Sequence, residues 1–103
     1  MIENELRLKA KCFLVPGDTY SICLRGARRF ENDLNVYDGN KFNCAIVKSQ
    51  LQFRFCDLIK KDVEDNYNPE VRDVFALHRA MDEAYHSVLD ERMIVTILRF
   101  EII

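Results

Sequence analysis

Between Asn68 and Arg92 the chain reads NPEVRDVFALHRAMDEAYHSVLDER, and no other stretch limits the fold so tightly. Asn68 is suited to cap the first free N–H groups of a helix, and Pro69 fits a first turn in which no donor is needed. Glu70 sets negative charge at the positive end of the helix dipole. Val71, Val74, Phe75, Met81, Ala84, Tyr85, Val88 and Leu89 then recur at steps of three and four, while Arg72, Asp73, Ala76, Arg79, Ala80, Glu83 and Ser87 fill the other side. An amphipathic helix of about twenty residues must lie on something, and the rest of the chain reads as a sheet.

With 103 residues the chain is expected to form one domain with a real core. A composition of 49% hydrophobic and 31% charged residues is that of a soluble globular chain, and no apolar run approaches the roughly twenty residues of a membrane span. The first residues, Met-Ile-Glu-Asn-Glu, lack the basic and then apolar pattern of a secretory signal, so a cytoplasmic location is expected, without membrane contact. Cys12, Cys23, Cys44 and Cys56 include no C-x-x-C pair, which argues against zinc-ribbon and thioredoxin-like readings. Cys12, Cys23 and Cys44 sit within apolar or alternating runs, and with no export signal the cysteines are expected to be buried free thiols rather than disulfides.

Residues 5–14 alternate: Leu6, Leu8, Ala10, Cys12 and Leu14 point one way, and Glu5, Arg7, Lys9, Lys11 and Phe13 the other. Pro16-Gly17-Asp18 breaks this strand, and Thr19–Arg25 resumes as a second, so an antiparallel hairpin is expected. Asp38-Gly39 between β-formers marks a two-residue hairpin turn joining strands near 33–37 and 40–48. Ser49–Asn66 supports two readings. Leu51, Phe53 and Phe55 alternate, whereas Leu51, Phe55, Leu58, Ile59 and Val63 follow helical spacing behind a capping box at Ser49; the second predicts a helix over 50–64. Met93–Ile103 is rich in β-branched residues and apolar on both faces in its first half, as in an interior strand. The order ββββ-α-α-β gives an α+β domain: a mainly antiparallel sheet of about five strands, with one long and one shorter helix on one face.

Net charge is −2, with nine Lys/Arg against six Asp/Glu in residues 1–56 and six against eleven in 57–103. The acidic set Asp57, Asp62, Glu64, Asp65, Glu70 and Asp73 is a candidate surface for another protein. Arg25, Arg28, Arg29 and Phe30, extended by the basic face of the first strand, form a candidate phosphate- and base-binding cluster, although a pI of 5.7 is far from that of most nucleic-acid-binding domains. His78, Asp82 and His86 fall at successive i, i+4 steps, the spacing of paired metal-binding histidines, but each step drifts about 40° around the helix, which weakens a metal reading. A Gly-rich phosphate loop, G-x-S-x-G and H-E-x-x-H are all missing from the sequence. The expectation is therefore a non-enzymatic protein-interaction module without a cofactor, such as an inhibitor or regulator of a larger protein, a virus-encoded antagonist of a host factor being one example. Nucleic-acid binding through the arginine cluster is the first alternative, and a small metal protein or enzyme centred on His78 and His86 the second. Self-association through the C-terminal strand is a further expectation if that strand lies at an edge.

Overall fold

The computed structural model describes residues 2–9, 14–85, 90 and 92–103, so the expectations for Lys11, Cys12, His86, Val88 and Leu89 fall outside it. Five strands form one mixed sheet: β1 (Glu3–Leu8), β2 (Thr19–Arg25), β3 (Phe30–Asp38), β4 (Lys41–Arg54) and β5 (Ile94–Ile102). Their spatial order is β1-β3-β4-β5-β2. Between β4 and β5 lie a 3₁₀ turn at Phe55–Asp57, helix α1 (Lys60–Val63), a second 3₁₀ turn at Pro69–Val71, and helix α2 (Val74–Tyr85). The α+β class and element order agree with expectation, and three of the four ladders are antiparallel.

Among the described residues, the expected hairpin of the first two strands does not form. β1 pairs in parallel with β3, and β2 pairs antiparallel with β5, at the far side of the sheet. The connection from Lys9 to Asp18 is too long to fix a two-strand register in the way a two-residue turn does. The β3–β4 hairpin does form, with Asp38 opposite Lys41 and Gly39 at φ 62°, a left-handed conformation in which glycine meets no steric penalty. β5 is interior, as its run of apolar residues implies, with Val95, Thr96, Ile97 and Leu98 all at most 1% exposed. Both of its ladders are filled by β4 and β2, so self-association by strand pairing through β5 is closed off.

The predicted helix over 50–64 is overturned. β4 continues to Arg54, and helix is confined to four residues from Lys60. The strand carries a bulge before this stretch. Val47 lies opposite Phe100 and Ser49 opposite Arg99, so Lys48 is an extra residue and the alternation changes phase there. Ala45 and Val47 face one core before it, while Leu51 and Phe53 share a face with Ile97 and Val95 after it. The apparent helical spacing comes from beyond the end of the strand, where Phe55 of the 3₁₀ turn, Leu58 and Val63 of α1 are buried together in one core. The helix start sits instead at Ile59, whose N–H donates to the Asp62 carboxylate at 3.0 Å.

The long helix is also shorter than predicted. Asn68 does cap, accepting from Glu70 N–H at 3.1 Å, but what it caps is the 3₁₀ turn. α2 restarts behind Asp73, whose carboxylate accepts from Ala76 N–H at 2.8 Å. Leu77 and Met81 supply the buried stripe of α2, while Phe75 is 85% exposed. Phe75 lies two positions from Leu77, about 200° around the helix, so both cannot face the sheet.

Two cores result. Under the helices, Phe55, Leu58, Val63, Val71, Leu77 and Met81 pack against Val95 and Ile97. On the other side, Leu98, Phe100 and Ile102 pack with Leu34, Val36 and Ala45, and also with Leu6 and Leu8 of β1 and Tyr20 and Ile22 of β2. β1 and β2 are opposite edges of the sheet, yet they share this cluster. The sheet is therefore coiled round it, with its two edges brought toward each other across an unclosed seam.

Candidate partner-binding groove

Several candidate residues prove to hold the fold together. Asp65 accepts from the Ser21 hydroxyl at 2.7 Å and from Arg99 Nε at 3.0 Å. The other arm of Arg99 donates to the carbonyls of Lys61 and Asp62, at the end of α1. Asp62 and Asp73 start α1 and α2, as described. Asp57, Glu64 and Glu70 remain as exposed carboxylates, and Asp57 lies 3.7 Å from the Cys56 thiol. Of the six acidic residues, Asp62, Asp65 and Asp73 hold local structure, and Asp57, Glu64 and Glu70 are exposed.

The arginine cluster is likewise tied in. Thr96, completely buried, donates its hydroxyl to Gly26 C=O at 2.7 Å and accepts from Arg28 N–H at 3.0 Å. That bridge fixes the turn at Gly26 and aims Arg28 at Glu3, where both Nε, at 2.8 Å, and Nη2 donate to the carboxylate. The guanidinium also lies 5.2 Å from the centre of the Phe30 ring. Hydrogen bonding to Arg28 holds the Glu3 carboxyl below its ordinary range. Phe30 is 3% exposed, so it offers no face on which a base can stack. Arg25 and Arg29 are exposed.

His78 Nδ1 approaches Asp82 Oδ2 at 3.2 Å, and its ring packs 5.1 Å from that of Phe55. His86 is outside the described residues, and among those described no three His, Cys, Asp or Glu side chains come together as a metal site. Of the cysteines expected to be buried, Cys44 and Cys56 are exposed and Cys23 is half-buried. Loss of solvent pushes the Cys23 thiol up to about 12, so it is neutral and a poor nucleophile at physiological pH.

The seam is where polar backbone is left without strand partners among the described residues. β2 pairs with β5 through one edge only. On the other, Ser21 N–H donates to Asp65 C=O and Tyr67 N–H donates to Ser21 C=O, each at 2.9 Å, so the loop after α1 covers that point. Side-to-side alternation then turns the N–H and C=O of Cys23 to the same open edge. Among the described residues, β1 likewise pairs only with β3.

A groove follows these two edges. One part, of about 240 Å³, runs past Ile22, Cys23 and Leu24 of β2 to Asn66, Tyr67 and Asn68, with Leu77, Ala80 and Met81 of α2 as its wall. The other, of about 500 Å³, runs along Ile2, Glu3, Asn4, Glu5, Leu6 and Arg7 to Arg28. Consecutive residues of both side-chain parities line each part, which happens along a strand's backbone edge rather than over one of its faces. Arg7, Lys9 and Leu24 line both parts, so the groove is continuous. Arg7 leans 4.8 Å from the Tyr37 ring centre and only loosely on Glu5, at 3.6 Å. The alternation of residues 5–14 puts Arg7 and Lys9 on one basic face, but nothing in the sequence shows that, among the described residues, the free edge of β1 has no strand beside it.

No helix among the described residues is long and apolar enough to cross a membrane. Comparison of the chain with protein-family models, with curated proteins and with solved structures finds no match.

Proposed function

We propose that the protein is a non-enzymatic binding module of the cytoplasm that takes an extended segment of another protein into the seam between β1 and β2, and so inhibits or regulates that partner. The observation that carries this reading is the continuous groove along two strand edges that have no ladder between them among the described residues. An added strand supplies main-chain hydrogen bonds to such edges, while side-chain pockets beside them supply selectivity. Half-exposed apolar side chains, Ile2 at 54% among them, sit along the groove, where an added strand gains by covering them. The neutral Cys23 thiol suits a binding wall better than a nucleophile.

The test is comparative capture from host lysate. The ladder of β1 skips Asn4, which sits at an irregularity between Glu3 and Glu5, so Asn4→Pro places a ring at the edge where a bulge tolerates it. A protein retained by the wild type and lost by Asn4→Pro, with both melting at the same temperature, is the expected result. Equal retention by both overturns the seam as the binding site. Co-eluting nucleic acid that disappears as salt is raised overturns the protein-binding reading in favour of exposed basic residues such as Arg29.

A further inference from the structure

Resting on the strand-addition reading, we propose that the smaller part of the groove is a selectivity pocket that takes one large apolar side chain of the partner strand, with an acidic side chain two residues away on the same face of that strand. The pocket has an apolar lining and a basic rim. Ile22, Leu24, Val71, Leu77 and Met81 are its apolar lining, and Cys23 Sγ lies 3.8 Å from Met81 Sδ within it. Thioether and thiol groups are polarisable and adapt to flat rings as well as to branched chains. A cavity of about 150 Å³ accommodates benzene, so about 240 Å³ has room for an aromatic or long aliphatic side chain.

Charge supplies the second half of the motif. Arg7 and Lys9 are the charged side chains lining this part, and both are positive. Lys9 has no hydrogen-bond or ion-pair partner among the described residues, and Arg7 has, besides its contact with the Tyr37 ring, an exposed pairing with Glu5 of little strength. Arg7 and Lys9 are themselves two residues apart, Arg7 near the end of β1 and Lys9 just beyond it, and both are exposed. A partner strand beside β1 repeats that spacing, since side chains at i and i+2 share a face, about 6.6 Å apart along the strand. An apolar anchor in the pocket therefore sets its i+2 or i−2 neighbour near this pair of cations. A carboxylate there gains an ion pair, and a basic residue meets repulsion, which is how complementary charge excludes wrong partners.

Selection of random displayed peptides on the immobilised full chain reads both features at once. The expected result is enrichment of a large apolar residue with Asp or Glu two positions away. On an Arg7→Glu, Lys9→Glu double variant the acidic preference should give way to a basic one. A fluorescent peptide carrying the selected motif should bind that variant roughly tenfold more weakly than wild type, the effect of losing one favourable charge contact. Both substitutions are at exposed positions, and an unchanged circular dichroism melt confirms the fold. Enriched peptides with no acidic preference, or a preference that survives charge reversal, overturn the pocket assignment and leave strand addition standing. Failure to enrich any peptide, from libraries that yield ligands for a known strand-adding domain, overturns strand addition itself.

Discussion

β5 and β1 are both strands of one sheet, and they are finished to different degrees. β5 has a neighbour on each side and a core on each face, so even Thr96 is fully buried and spends its hydroxyl on the turn at Gly26. β1 has one neighbour and one buried face: Leu6 and Leu8 are buried, whereas Asn4, Glu5 and Arg7 are exposed. A strand enclosed on all sides contributes cooperativity and has no capacity left to bind. A strand with an open edge contributes less to stability but keeps main-chain donors and acceptors for a partner. Natural edges are commonly protected by charge and irregular pairing, and β1 has both, in its Glu and Arg side chains and in the irregularity at Asn4. Selective opening fits this arrangement better than indiscriminate aggregation does.

The comparison is broken most forcefully in the enclosed region. Phe100 is 0% exposed at the centre of the coiled core, so Phe100→Ala should cost about 3–5 kcal/mol in urea unfolding, enough to unfold much of a marginal domain. On the helical side, Leu77→Ala should cost about 2–5 kcal/mol by opening a hole over Ile97, whereas Phe75→Ala, two residues away, should stay within about 0.5 kcal/mol. Equal costs for Leu77 and Phe75 would mean that α2 lies on the sheet by another face.

That pair of residues also shows where sequence reading stops. The position of α2 is legible because caps and breakers are local: Asn68 and Pro69 mark its approach. Its facing is not, since Val74, Phe75 and Leu77 are all apolar and only the sheet decides which of them is covered. The β3–β4 hairpin is legible for the same local reason, through Asp38-Gly39. Interior placement of β5 is legible because four successive residues without a charge suit no half-exposed strand. Pairing of β1 with β3 leaves no comparable trace, because a parallel ladder between distant segments has no turn to announce it. The end of β4 is hidden because Phe55, Leu58 and Val63, in the turn and helix that follow it, extend its apolar pattern at helical spacing. Roles in the acidic and arginine sets were concealed by distance: Asp65 meets Ser21 from 44 positions away and Arg99 from 34, and Arg28 meets Glu3 from 25. The seam is harder still to foresee, being a ladder that fails to close.

A contrast of intermediate size lies where the enclosed and open regions join. Beyond Asp33 the β3–β4 ladder stops, but the Gln50 amide continues it with a side chain. Its Oε1 accepts from Phe30 N–H at 2.8 Å and its Nε2 donates to Phe30 C=O at 2.9 Å. Phe30 in turn lies under Arg28, which holds Glu3 and the start of β1. Gln50→Ala leaves both backbone groups of a buried residue unpaired and should cost about 1–3 kcal/mol. Hydrogen exchange should quicken at Phe30 and through β1 while β5 stays protected. Uniform loss of protection would show that β1 is no looser than β5.

The smallest effect is the one confined to the open region. The Arg28 hydrogen bonds lower the folded-state pKa of Glu3 below the ordinary 4.5, so this carboxylate favours the folded state wherever the unfolded chain would still hold the proton more tightly. The stabilisation is complete above pH 4.5 and is lost as pH falls through the lowered folded value. Glu3→Gln cannot titrate there, so its melting temperature should lie below that of the wild type near neutrality, and the gap should close on acidification. Because the pair is partly exposed, added salt should also narrow the gap. A gap independent of pH would place the contribution of Glu3 in packing rather than charge. The end of the seam would then be pinned by Glu3 N–H on Arg29 C=O, a main-chain bond that the substitution leaves intact.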